Sequence, residues 1–158
     1  MPDMLVRLYD LPPVERELAS MAAQSIEVRP AMAHEKHIVV EWIARHFSPG
    51  WASEADVAMS HVPIGCWLAV EHDRIIGFAC RDASAKGFFG PTGVTETARG
   101  RGVGKALLIA CLHALRADGY AYGIIGAVGP IDFYAGAVGA TVIERSTPGI
   151  YGAQLESG

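Results

Sequence analysis

Residues 99–105 read RGRGVGK, three glycines and three cations in seven positions. From Val103 onward, Val103, Leu107, Leu108, Cys111, Leu112 and Leu115 recur on one face at the 3.6-residue period of an amphipathic helix. Gly119 ends that run. Upstream, KGFFGPTGVTE (residues 86–96) reads as a strand interrupted by Gly90, Pro91 and Gly93. Glycine and proline inside a strand suggest a bulge or a close backbone approach to a ligand. The order strand, glycine turn, helix is that of a phosphate cradle. A helix N-terminus offers unpaired N–H groups and partial positive charge to an anion.

Three loop templates compete for these residues. A triphosphate loop needs G-x-x-x-x-G-K-[ST]. Gly104 and Lys105 supply its G-K, but Arg99 stands where the first glycine belongs and Ala106 where the Mg²⁺-binding hydroxyl belongs. A dinucleotide turn needs G-x-G-x-x-G. Counted from Gly100 its last position is Lys105, and counted from Gly102 it is Leu107, so that template fails too. Arg99-x-x-Gly102-x-Gly104 fits the third pattern, Q/R-x-x-G-x-G/A between a strand and a long helix. With Phe133-Tyr134 on a later helix ahead of Gly139, the chain resembles the GNAT superfamily of acetyl-CoA-dependent N-acetyltransferases over roughly residues 25–155.

The resemblance implies an α/β fold of GNAT type: a mixed, mostly antiparallel central sheet flanked by helices. Residues 25–158 would form the acetyltransferase domain, and residues 1–24 an N-terminal extension of strand plus helix packed on it, covering a sheet edge or pairing across a homodimer. It also implies acetyl-CoA as co-substrate. Arg99, Arg101, Gly102, Val103, Gly104, Lys105 and Ala106 would hold the pyrophosphate, and the backbone of Val94 and Glu96 the pantetheine arm and thioester oxygen. Tyr134 matches the family's tyrosine near the coenzyme A sulfur, with a role as general acid toward the leaving thiolate. Glu96 is a candidate base at the end of the cofactor strand; Glu54, Asp56, His61 and Asp132 are further candidates, as is a water chain. Many family members carry an asparagine about seven residues before the tyrosine; here that position is Ala127.

Composition sets the outer limits. The chain has 158 residues, 51% hydrophobic and 19% charged, enough for one globular domain. A net charge of −4 gives no general attraction to nucleic acid or anionic membrane. Cys66, Cys80 and Cys111 sit among apolar residues, an odd count without framework spacing. The opening MPDMLVRLYD lacks the basic and apolar regions of a signal peptide, and no run approaches a membrane span. A cytoplasmic chain with reduced cysteines is the expectation. The six histidines show no ligand spacing and C-x-x-C is missing, so no metal is expected.

The remaining elements follow from pattern. Strands are expected at Leu5–Tyr9, around Ile26 and Val28, at Cys66–Val70 and at Ile75–Cys80, the last two joined by an EHDR turn. YAYGIIGAV (120–128) reads as a buried strand; TVIERS and GIYGAQL read as two last strands around Pro148-Gly149. Helices are expected from Val14 to Ala23, from Ile38 to Phe47, from an N-cap at Ser53, and from Pro130. Trp51 is expected in a loop. The function expected is acetyl transfer to a small or protein amine by direct transfer in a ternary complex. A non-catalytic acyl-CoA sensor, or acyl transfer to a hydroxyl, would use the same loop.

Overall fold

The longest apolar period in the chain becomes its longest helix. In the computed structural model, which describes residues 1–158, it spans Val103–Ala117 and buries Leu107, Leu108, Ile109, Leu112 and Leu115. Each such side chain removed from water contributes about 1.5–3 kcal/mol. The other helices are α1 (Glu15–Ala23), α2 (Lys36–His46), α3 (Pro49–Met59) and α5 (Ile131–Val138), making the long helix α4. The strands are β1 (Met4–Arg7), β2 (Ile26–Pro30), β3 (Cys66–Glu71), β4 (Arg74–Arg81), β5 (Phe88–Val94), β6 (Tyr122–Ile125) and β7 (Thr141–Val142).

The strands form one seven-stranded sheet in the order β2-β3-β4-β5-β6-β1-β7. Only β5 and β6 run parallel; every other neighbouring pair is antiparallel. Alternating side chains divide the core between the two faces. Cys66, Leu68, Phe78 and Cys80 pack on α2 and α3, whereas Ala69 and Ala79 join the α4 side. Gly77 lets α4 sit close: a Cβ there would meet Leu107 at 3.0 Å and Val103 at 3.2 Å.

The mixed, mostly antiparallel α/β sheet expected from the sequence is present, but the N-terminal segment has a different place in it. β1 does not cover an edge. It lies inside the sheet, pairing Met4–Arg7 with Tyr122–Ile125 on one side and Met4–Leu5 with Thr141–Val142 on the other. Pro2 and Asp3 continue the same path, with the Pro2 carbonyl accepting from Val128 N–H at 2.7 Å. Residues from 149 on form no strand, only a 3-10 turn at Gly149–Tyr151. β1 already takes the backbone groups of β6 and β7 that a last strand would need.

One helix start also differs. α3 begins at Pro49 and not at Ser53, because Ser48 Oγ accepts from Trp51 N–H at 3.1 Å and Pro49 stands at the first helical position. Trp51 and Glu54 are therefore one turn apart on the same helix.

Candidate active site

β5 and β6 pair only at Phe88 with Ile124 and Phe89 with Ile125. β5 then runs on beside β4 as far as Val94, while the chain after β6 turns through residues 126–130 into α5. The strands part into a wedge. Two cavities meet there, sharing Phe89, Thr92, Pro130 and Tyr134.

The first, about 460 Å³, is lined by Val94, Arg99, Gly102, Val103, Gly104 and Lys105, with Gly100, Phe133 and others. None of the N–H groups from Gly100 to Lys105 has an acceptor in the protein; the first to find one is Ala106, which donates to Gly102 C=O at 3.1 Å. Gly100 and Gly102 take positive φ, 78° and 86°, a region where a Cβ is strained. The turn thus presents a row of free donors at the N-terminus of α4, a ready anion site. At Val94 the backbone faces the wedge. The next amide, Thr95 N–H, donates to Ile76 C=O at 2.9 Å, and successive amides of a strand alternate in direction.

Three residues expected here are elsewhere. Arg101 turns away: its guanidinium grips Glu71 at 2.5 and 3.1 Å and Gln24 at 3.2 Å. It fixes the loop to β3 and α1 instead of facing the cavity. Ala106 is buried and its N–H is closed within the helix. Glu96 is exposed on a 3-10 turn, lines neither cavity, and its carbonyl accepts from Arg99 N–H. Lys105 lies 3.7 Å from Glu17, so Arg99 is the one loop cation without an ion pair.

Tyr134 stands at the junction of the cavities. It is 7% exposed, packs edge-on against Phe89 with centroids 6.4 Å apart, and burial raises its phenol above the usual 10.0. Its hydroxyl bonds to no protein group, and it is not among the sealed, unpartnered atoms, so it opens to the cavity.

The second cavity, about 710 Å³, is lined by residues far apart in sequence, including Met1, Trp51, Glu54, Ser84, Ala127 and Tyr151. Glu54 Oε2 accepts from Ser84 Oγ at 2.5 Å and Oε1 from Tyr151 Oη at 2.7 Å. Of the other acids and the histidine considered from sequence, Asp56 pairs with Lys36 at 2.7 Å, His61 contacts the Asp82 carbonyl at 2.9 Å, and Asp132 is exposed; none lines this cavity. Ser84 and Tyr151 carry no local signal in the sequence, since a polar loop and a C-terminal turn are common. Ala127, φ 48°, donates its N–H to Asp3 Oδ1 at 2.9 Å. The N-terminal segment thereby shapes the cavity wall where the asparagine of many family members would stand.

Cys66, Cys80 and Cys111 are buried, line neither cavity, and burial pushes the Cys80 and Cys111 thiols up. No group of three or more His, Cys, Asp or Glu side chains is arranged to hold a metal ion, and no helix is long and apolar enough to cross a membrane.

Comparison with solved structures agrees with this fold. The chain is similar to a GCN5-related glucosamine N-acetyltransferase region of a fungal multi-domain GH3 β-N-acetylglucosaminidase, with TM-score 0.74, 17% identity, and 90% of this chain and 19% of that one covered. It is also similar to a GCN5-related N-acetyltransferase from Sphaerobacter thermophilus, with TM-score 0.65, 23% identity, and 90% and 48% covered. The chain thus spans less than half the length of either. No curated protein matches it significantly. At these identities the structures speak for the fold. A family model described as Acetyltransferase (GNAT) family matches residues 36–135, from the start of α2 into α5, and the chain belongs to that family.

Proposed function

We propose that this protein transfers an acetyl group from acetyl-CoA to a primary amine, directly and within a ternary complex. One observation carries the reading: a buried tyrosine with an unpartnered hydroxyl stands where an anion cradle meets a second cavity containing a carboxylate. The free N–H groups of Gly100–Lys105 suit the coenzyme A pyrophosphate, with Arg99 as the unpaired cation beside them. Val94, on the diverging strand, offers its N–H and C=O to the pantetheine arm and thioester oxygen, where an N–H stabilises developing negative charge.

Acetyl-CoA supplies the acetyl group as a thioester: the amine nitrogen forms the new C–N bond as the C–S bond breaks, leaving an amide and a thiol. Tyr134 is assigned the proton for the leaving sulfur; a phenol is protonated at neutral pH, and burial raises this one further above its usual 10.0. An acceptor that arrives as an ammonium first releases one proton to solvent, and the attacking amine then loses a second in exchange for the one given to sulfur. Glu54, in the acceptor cavity, is better placed to receive this second proton, directly or through water, than the exposed Glu96, to which we assign no step. With three buried cysteines away from both cavities, direct transfer is favoured over a cysteinyl acyl-enzyme.

A panel of amines scored by thiol release from acetyl-CoA tests this. Amine-dependent release that falls sharply in Tyr134→Phe supports transfer. If no amine stimulates release while acetyl-CoA still raises the melting temperature, the protein is an acyl-CoA-binding module instead.

A further inference from the structure

We infer that the 710 Å³ cavity is built for a small monoamine with an apolar body and no carboxylate, its ammonium held by Glu54. The inference rests on the reading above, in which this cavity takes the acceptor.

Glu54 is the single charged side chain in the lining. Two hydroxyls from distant parts of the chain converge on it, Ser84 after β4 and Tyr151 in the last turn, one on each carboxylate oxygen. A carboxylate accepts about four hydrogen bonds. Two positions therefore stay free on a carboxylate whose orientation is already fixed, and an ammonium brings both the donors and the opposite charge. Trp51 lies one helical turn before Glu54, so both side chains leave α3 on one face. Its ring is held against Phe47, with centroids 5.3 Å apart. A fixed indole beside a fixed carboxylate is a favourable setting for an organic cation.

The rest of the wall decides the body of the ligand. Trp51, Phe89, Ile125, Val128, Tyr134 and Tyr151 give it an apolar and aromatic character. No lysine, arginine or histidine side chain lines it. An acceptor bearing its own carboxylate would set that group near Glu54 with no cationic side chain in the lining to offset it, and like charges brought together in a partly desolvated cavity repel. Free amino acids are therefore disfavoured relative to the corresponding amines. The volume is that of a small-molecule site.

Four matched compounds test this at pH 7: 2-phenylethylamine, phenylalanine, phenylalanine amide and 2-phenylethanol. Their binding to coenzyme A-loaded protein is measured by calorimetry, and the amines are also scored for thiol release from acetyl-CoA. The amine and the amide should bind at least tenfold more tightly than phenylalanine, and the alcohol should bind weakly. Glu54→Gln should weaken amine binding at least tenfold while leaving the acetyl-CoA dissociation constant unchanged, and Glu54→Asp should restore part of it. Phenylalanine binding as well as its amide, or none of the amines binding, would overturn the inference with wild-type protein alone. So would unaltered amine binding in Glu54→Gln. The expected binding order without any thiol release would sink acetyl transfer but leave the amine site standing.

Discussion

The ring of Phe47 fills the space that a side chain on Gly93 would need: a Cβ built there meets Cε1 and Cζ at 2.5 Å. Phe47 also packs on Phe78 and Trp51, with centroids 5.5 and 5.3 Å away. A bare backbone at Gly93 thus seats the aromatic cluster of α2 and α3 against β5 and sets Trp51 at the 710 Å³ cavity. Gly93→Ala should cost about 1–3 kcal/mol through this overpacking and raise the acceptor KM. A melting temperature equal to that of the wild type would show that the cluster yields freely.

Gly104 separates cofactor binding from folding. Its φ is ordinary and a Cβ would meet only Val94 Cγ2 at 3.7 Å, so a side chain fits there. Gly104→Glu should leave the melting temperature of the free protein within a few degrees, yet abolish its rise on adding acetyl-CoA, because a carboxylate then stands among the free N–H donors. Gly102→Glu should do the same with an added backbone penalty of about 1 kcal/mol, since that residue is left-handed. A folded Gly104→Glu protein that acetyl-CoA stabilises normally would mean the loop is not the cradle.

Tyr134 sets a pH expectation. Burial raises its phenol above 10.0, so it favours the protonated form in the folded state. The corresponding stability is complete below pH 10 and is lost as pH rises through the folded value. Wild type minus Tyr134→Phe melting temperatures should therefore be flat through neutral pH and fall only in the alkaline range. Turnover by Tyr134→Phe should drop about 100-fold, with acetyl-CoA binding preserved. Full turnover in the variant would remove the tyrosine from the mechanism.

Asp3 ties the N-terminus to the site. Its carboxylate accepts from Ala127 N–H at 2.9 Å, its own N–H donates to Ser146 Oγ at 2.8 Å, and its carbonyl accepts from Ile143 N–H at 2.9 Å. Asp3→Ala removes only the first and should cost about 1 kcal/mol. Because Ala127 lines the 710 Å³ cavity and not the one beside the glycine turn, the acceptor KM should rise while the acetyl-CoA dissociation constant holds. Equal losses in both would mean that the damage is global.

RGRGVGK and the helix after it were legible because their information is local. A glycine turn, a 3.6-residue period and a helix N-terminus depend on neighbours within a few residues, and the sequence alone determined most of the α/β elements, the glycine turn at the start of α4 and Tyr134's helix. Tertiary structure decided the rest, because strand pairing and side-chain partners are chosen across the whole chain. Met4 meets Val142 in the sheet, so the N-terminal strand became part of the core and no strand formed after residue 148. Arg101 reads as a phosphate ligand until Glu71, 30 residues away, claims its guanidinium. Glu54 was one acid among several until Ser84 and Tyr151, 30 and 97 residues distant, closed on its two oxygens. Only folding brings such groups within hydrogen-bond reach, and no short-range pattern in the sequence records it.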